Sequence, residues 1–194
     1  MLKNLFNEKK AAQAAAYFLF RAGGRLDVLK LTKLLYLAER RSFEKYGEPL
    51  IGDRLVSMPH GPVLSRTYNY MNGELPSSEG GWETWIAGRA EHTLSLRHPK
   101  ALRAPEKDLT ELSEADLEVL AETWRRFGRM SGLQLRRYTH RHCQEWKDPE
   151  GSMIPMQPED LFTALKFTPK QTKQALARLR EADEVEAAFA AVRD

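Results

Sequence analysis

One cysteine in 194 residues, Cys143, leaves no internal disulfide to form, and a reducing compartment, the cytoplasm by default, is expected. No uninterrupted run of about 18 apolar residues occurs, so no membrane-spanning helix is expected. Residues Met1 to Lys10 are followed by neither an apolar stretch nor a small-residue cleavage site, so no secretory signal is expected either. Internal repeats and low-complexity segments are missing. So are a nucleophile elbow, a phosphate-cradling glycine loop and a zincin motif, because Gly23-Gly24 and Gly80-Gly81 lack the strand-to-helix setting. An enzyme would have to be assembled from scattered residues. Paired catalytic carboxylates are not apparent, since acids such as Asp116 and Glu159 sit at helix starts, where they serve caps and dipoles.

A large excess of one charge is lacking as well. Thirty Lys and Arg stand against 27 Asp and Glu, a formal net charge of +3, and such an excess moves the isoelectric point far more than the surrounding field. The charges are unevenly placed, however. Glu106 to Glu122 holds seven acids and one lysine, whereas Trp124 to Lys147 holds six arginines and one lysine against Glu145. Three readings of the arginine stretch stay open: a protein partner, a solvated face, or direct nucleic-acid binding. The remaining composition, 42% hydrophobic and 29% charged, is that of a globular chain long enough for one domain, or one domain with a small appendage.

Periodicity predicts a mainly α fold of seven or eight helices with one small antiparallel sheet. Ala11, Ala14, Ala15, Phe18 and Leu19 mark a helix from Glu8 to Arg21. Asp27 caps a second, Val28 to Tyr46, with Leu31, Leu34, Leu35 and Ala38 inward and Lys30, Lys33, Arg40, Arg41 and Glu44 off that stripe. Gly47 and Pro49 stop it. A brief strand at Arg54 to Met58 precedes His60-Gly61-Pro62, and Pro62 fits the first position of a third helix to Met71. Asn72 to Gly81 reads as the mobile loop, and Glu91 to Arg97 as a half-buried strand with Leu94 and Leu96 inward. Ser113 with Asp116 starts a helix to Phe127 whose stripe is Leu117, Leu120, Ala121 and Trp124. Ser131 with Gln134 starts another, from Gly132 to Cys143. A helix near Pro158 to Lys166 precedes a last one, opened by Thr168 and Gln171, with Ala175, Leu176 and Leu179 inward. Charge sums to zero over Thr168 to Asp194, which favours a packing helix there over a DNA reader.

His140, His142 and Cys143 come nearest to a metal cluster. On a helix the two histidines point about 200° apart and cannot grip one ion, so no metal or cofactor is expected. One histidine should turn inward with its ring hydrogen-bonded, the other outward, with Cys143 as a small buried group.

Lys30 to Glu39 (KLTKLLYLAE), then Tyr46-Gly47-Glu48-Pro49-Leu50, then His60-Gly61-Pro62-Val63 with Tyr68, resembles the Panacea domain of SocA-like antitoxins. Leu135 to His140 and Trp146 are similar to that family's L-x-x-x-T-H segment ending at a Trp. The sequence departs at His60, where Tyr is common, and at Ala38-Glu39-Arg40, which is more polar than the usual continuation. The resemblance spans about Glu8 to Leu165. It implies a Panacea-like domain over residues 1–165 and a helical extension over 166–194. It further implies a non-enzymatic protein encoded beside a toxin in bacteria or phages, which neutralises that cognate toxin by direct binding. Delivery of the toxin to a host AAA+ protease is the family's other mode. Many members carry an added DNA-binding module, which is not visible here; a nucleic-acid-binding regulator using the arginine-rich helices is the alternative. Oligomeric state stays open. Leu31, Leu34, Leu35, Gly47, Pro49, Gly61, Pro62, His140 and Trp146 then belong to the architecture. Lys33, Tyr36, Tyr46 and His60 are candidates for toxin contact, each otherwise explained by a salt bridge or a buried hydrogen bond, and Arg136, Arg137 and Arg141 complete the set.

Overall fold

The computed structural model describes residues 4–88 and 90–193. Helix α1 (Glu8–Arg21) starts where the Asn7 side chain accepts the Lys10 amide at 2.9 Å. Strand β1 (Arg25–Asp27) runs straight into α2 (Val28–Tyr46), capped by Asp27 accepting the Lys30 amide at 2.8 Å and ended by Gly47 in the left-handed region at φ 71°. Every residue from Leu31 to Glu39 is buried. This is the signature of a helix enclosed on all sides, and α2 forms the axis of the molecule. Lys33, expected off the buried stripe, is therefore fully enclosed; a 3.6-residue stripe describes a helix with one wet face, which α2 over this stretch does not have.

Two small antiparallel sheets flank this axis, where one was expected. In the first, β5 (Thr93–Leu96) lies between β1 and β4 (Ile86–Ala87), with Leu94 and Leu96 turned into the core. In the second, β2 (Leu55–Met58) lies between β3 (Gly61–Leu64) and β6 (Ile154–Pro155). Pro62 is thus a strand residue opposite Ser57, and the helix expected to open with it, α3 (Ser65–Asn72), begins three residues later. The local preference of proline for a helix start loses to burial of Val63 and Leu64. Because β3 is an edge strand, the missing proline amide costs no ladder bond toward an outer neighbour. Asp53 replaces the absent local cap of α3 from a distance, accepting from the Arg66 and Thr67 amides at 3.1 and 2.7 Å.

Over residues 73–81 the chain meets α1 at one point, where the Glu8 carboxylate accepts from Ser77 Oγ and Ser78 Oγ, and just beyond from the Trp82 amide, at 2.7–2.8 Å. Two four-residue turns, α4 (Trp82–Trp85) and α5 (Pro105–Asp108), raise the helix count among the described residues to nine. Helices α6 (Glu114–Phe127) and α7 (Gly132–His142) each open with a complete capping box, Ser113 with Asp116 and Ser131 with Gln134. The buried line of α6 is Asp116, Val119, Leu120, Thr123 and Phe127, so the helix is rotated from its expected stripe, leaving Leu117, Ala121 and Trp124 half-buried. The acids of α6 account for the rotation: Asp116, Glu118 and Glu122 meet cations of α1 and α2.

Helix α8 (Pro158–Ala164) is followed by α9 (Pro169–Arg193), opened by Thr168 and Gln171, whose side chains bond each other's segment reciprocally. Ala175 and Leu179 are buried and Leu176 half-buried. Beyond them α9 leaves Val185, Phe189 and Val192 exposed. No helix among the described residues is long and apolar enough to cross a membrane.

Candidate functional site

The motif residues converge on one side of α2. Tyr36 and Arg40 stand four residues apart and therefore on one face. There Tyr36 Oη and Arg40 Nε donate to the same oxygen, Oε1 of Glu145, at 2.5 and 2.7 Å. The Glu145 side chain is wholly enclosed, and its other oxygen has no partner among the described residues. Burial first, and the neighbouring Glu145 next, push the Tyr36 hydroxyl well above its ordinary range. The same two causes, in the same order, push the Cys143 thiol up to about 12. A thiol so held is not a nucleophile at neutral pH.

One turn earlier, Lys33 Nζ donates to the Pro62 carbonyl at 2.7 Å. Burial first, with the positive charge of Arg136 adding to it, brings this amine down to about 7. Gly61 adjoins it with φ 96°, and a Cβ there would lie 2.9 Å from Thr139 Oγ1 and 3.1 Å from Lys33 Nζ. Glycine is therefore required both by conformation and by space. On α7, His140 stacks on Trp146 at 4.0 Å and 11°, and Trp146 Nε1 donates to the Met58 carbonyl at 3.1 Å. The ring expected to be hydrogen-bonded instead has Nε2 buried without a partner among the described residues, and burial lowers its basicity. His142 is exposed, and Cys143 is buried. The result is a hub that fastens α2 and α7 to the β2–β3 hairpin.

Glu39, on another face of α2, accepts the amides of Leu50, Ile51 and Gly52 at 2.7–2.9 Å. Its burial outweighs those three donors and raises its carboxyl to about 7. Glu39, Asp53 and Glu145 were not singled out from the sequence. The four-residue spacing of Tyr36 and Arg40 was the one available sign of a shared acceptor; nothing local in the sequence indicates that Glu39 reaches back to the turn after Gly47.

The candidate contact residues do not form one patch. Lys33 and Tyr36 are enclosed in the hub. Tyr46 is 37% exposed, about 20 Å along the helix from Lys33 at 1.5 Å per residue, and donates to Glu118 Oε2 at 2.8 Å. His60 is exposed at the tip of the β2–β3 hairpin. Arg136 is half-buried on the His140 side of α7, while Arg137 and Arg141 are exposed on its outer face.

Pairing separates the two charged stretches. Three of the seven acids in the acidic stretch are engaged by cations from other helices: Asp116 meets Lys10 at 2.8 Å, Glu118 meets Lys45 at 2.7 Å, and Glu122 meets Arg41 at 2.8 Å. Asp108 accepts the Arg103 and Ala104 amides. In contrast, none of Arg125, Arg126, Arg129, Arg136, Arg137 and Arg141 is among the ion pairs of the described residues. The charge contrast of the sequence becomes a set of paired acids on α6 and a set of arginines that have no ion partner among the described residues.

No three His, Cys, Asp or Glu side chains among the described residues converge on a point that would hold a metal ion. Comparison with curated proteins and with solved structures gives no match. A family model described as Antitoxin SocA-like, Panacea domain, matches residues 31–147, more than half of the chain. Its limits enclose the hub, from Lys33 to Trp146, and the whole of α6 and α7, while α1, α8 and α9 lie outside. The chain belongs to the family of SocA-like antitoxins that share the Panacea domain.

Proposed function

We propose that this protein is a non-enzymatic antitoxin of a bacterial or phage toxin–antitoxin system, acting in the cytoplasm by binding its cognate toxin directly. Family membership supports the role. The mode rests on one observation, that the arginines of α6 and α7 have no ion partner among the described residues while Asp116, Glu118 and Glu122 of α6 do. Arginine is favoured where a planar donor fork meets carboxylates across an interface, and unpaired charge speeds encounter with an opposite surface. Arg137 and Arg141, with Arg136, Tyr46 and His60, are the contact residues in this reading. Lys33 and Tyr36 act beneath them by holding α7 and the hairpin in place. Residues 1–165 form the toxin-binding domain and 166–194 an extension docked through Ala175 and Leu179.

Co-expression with the neighbouring small open reading frame tests this. Growth should be restored and a complex should co-purify; a neighbour that is neither neutralised nor retained overturns the reading. Toxin half-life in the same cells separates occlusion, which leaves it unchanged, from delivery to an AAA+ protease, which shortens it. The same unpaired arginines favour a second reading, a nucleic-acid-binding regulator. There Arg136→Glu/Arg137→Glu should lower retention on DNA or RNA in a salt-dependent way, and no retention at low salt by the unaltered protein removes that reading.

A further inference from the structure

Between α2, α6 and α7 lies an open cleft of about 610 Å³ that none of the family motif residues explains. Four arginines stand around it, in two different conditions. Arg40 is committed to Glu145, and Arg41 to Glu44 and Glu122, at 2.7–2.8 Å. Arg125 and Arg126 belong to none of the ion pairs among the described residues. Arg126 is nonetheless held in position. Its Nη2 donates to Tyr138 Oη at 2.9 Å, and its guanidinium lies 5.0 Å from the Phe127 ring centroid and 5.8 Å from that of Tyr138. A cation fixed in this way keeps further N–H groups for a ligand and loses little freedom when one arrives.

The cleft also has an aromatic wall and an unmet polar group. Tyr138 and His142 lie against each other with ring centroids 4.5 Å apart and planes tilted by 32°. Thr123, 2% exposed and lining the cleft, has a buried hydroxyl without a partner among the described residues. A threonine inside a helix ordinarily returns its hydroxyl to the preceding turn, as Thr32 does to Val28, so the vacancy at Thr123 is a local exception.

We propose that this cleft is the anchor site for an acidic segment of the toxin, with a carboxylate against Arg125 and Arg126 and an adjoining apolar or aromatic side chain against Tyr138. The proposal rests on the antitoxin reading and assigns it a site. An acidic peptide fits better than a nucleic acid because two carboxylates, Glu44 of α2 and Glu122 of α6, both held on Arg41, line the same cleft. A phosphate backbone carries charge at every step and would meet both carboxylates, whereas a peptide can place one or two charges on the arginine side and none on the other.

The test uses the full chain and a stated probe, the capped peptide acetyl-Asp-Phe-Glu-Leu-Glu-amide, followed through the arginine Nε–H resonances. Resonances of Arg125 and Arg126 should shift on titration. The peptide with Asn and Gln in place of its acids should bind about tenfold more weakly or worse, as expected for loss of charge-assisted hydrogen bonds. Arg126→Ala should abolish the shifts, and Arg126→Lys, which keeps the charge but not the fork, should recover only part of the affinity. Equal binding of the neutral peptide, or tighter binding of dodecathymidylate at about 0.15 M salt, overturns the proposal. In cells, Arg125→Glu/Arg126→Glu should lose rescue from the toxin. If that double variant still rescues growth, the cleft is overturned and the antitoxin reading stands. If the unaltered chain fails to rescue, the antitoxin reading falls, and the toxin-anchor assignment that rests on it falls too, whatever the peptide titration gives.

Discussion

Lys33 Nζ donates to the carbonyl oxygen of Pro62 at 2.7 Å, and the lysine has no surface in contact with solvent. A cationic side chain at the centre of a helix bundle is thereby spent on a single backbone carbonyl of an edge strand. This bond orients the β2–β3 hairpin against α2, and it makes stability depend on pH.

The dependence has two limbs of opposite sign. Lys33 is brought down by burial from 10.5 to about 7, so the unfolded chain holds more protons between those values and stability rises as pH rises from 7 toward 10.5. Glu39 is raised by burial from 4.5 to about 7, so the folded chain holds more protons and its contribution, full below 4.5, is lost as pH climbs to 7. Each limb has a slope of at most about 1.4 kcal/mol per pH unit. Denaturant titrations across pH 4 to 10 should show Lys33→Met removing the upper limb and Glu39→Gln the lower. A parallel profile for either variant and the unaltered protein contradicts the assignment.

Glu145 joins two donors at one oxygen, and the consequences of removing each differ. Arg40→Met leaves a buried carboxylate without its cation and should cost about 3 kcal/mol or more, whereas Tyr36→Phe removes one charged hydrogen bond and should cost about 2 kcal/mol. The two losses should not add, since both act on Oε1. Additive losses in a double-variant cycle count against a shared site.

Gly61→Ala places a methyl group 2.9 Å from Thr139 Oγ1 at a backbone angle of φ 96°. A loss of more than about 2 kcal/mol is expected from strain and overlap together. Adding Thr139→Ala should recover only the Thr139 part of the overlap, since His140 Cδ2 and Lys33 Nζ stay 3.1 Å from the new methyl group. Full recovery in the double variant would mean that the backbone angle carries no cost.

Arg137→Glu and Arg141→Glu lie on the outer face of α7 without ion partners among the described residues. They should leave the melting transition within about 0.5 kcal/mol of the original, as for most surface changes. They should nevertheless weaken the toxin complex, more at low salt than at high salt. A complex insensitive to both charge and salt places the interface elsewhere.

Punctuation was legible in the sequence wherever a helix is closed by its own residues. Asp27, Gly47, Ser113, Ser131 and Thr168 act within one turn of themselves, and the structure uses each of them as expected. Of the candidate site, the sequence identified the residue types of the hub and not their exposure. Lys33 and Tyr36 proved inaccessible because α2 is surrounded, and no pattern confined to one helix records how many neighbours it has. Glu39, Asp53 and Glu145 were missed for the same reason: each satisfies backbone or side-chain groups about a dozen to more than a hundred positions away.

A mainly α chain, its helix starts and stops, and the sharp contrast between acidic and arginine-rich stretches follow from residue order alone, since these depend on neighbours within a few positions. The meaning of that contrast comes from packing. Lys10, Arg41 and Lys45 come from distant segments to neutralise Asp116, Glu118 and Glu122, while no carboxylate is brought within ion-pair distance of the six arginines among the described residues. Whether a charge stays free for a partner depends on which segments fold against it, and that is a property of packing rather than of order along the chain.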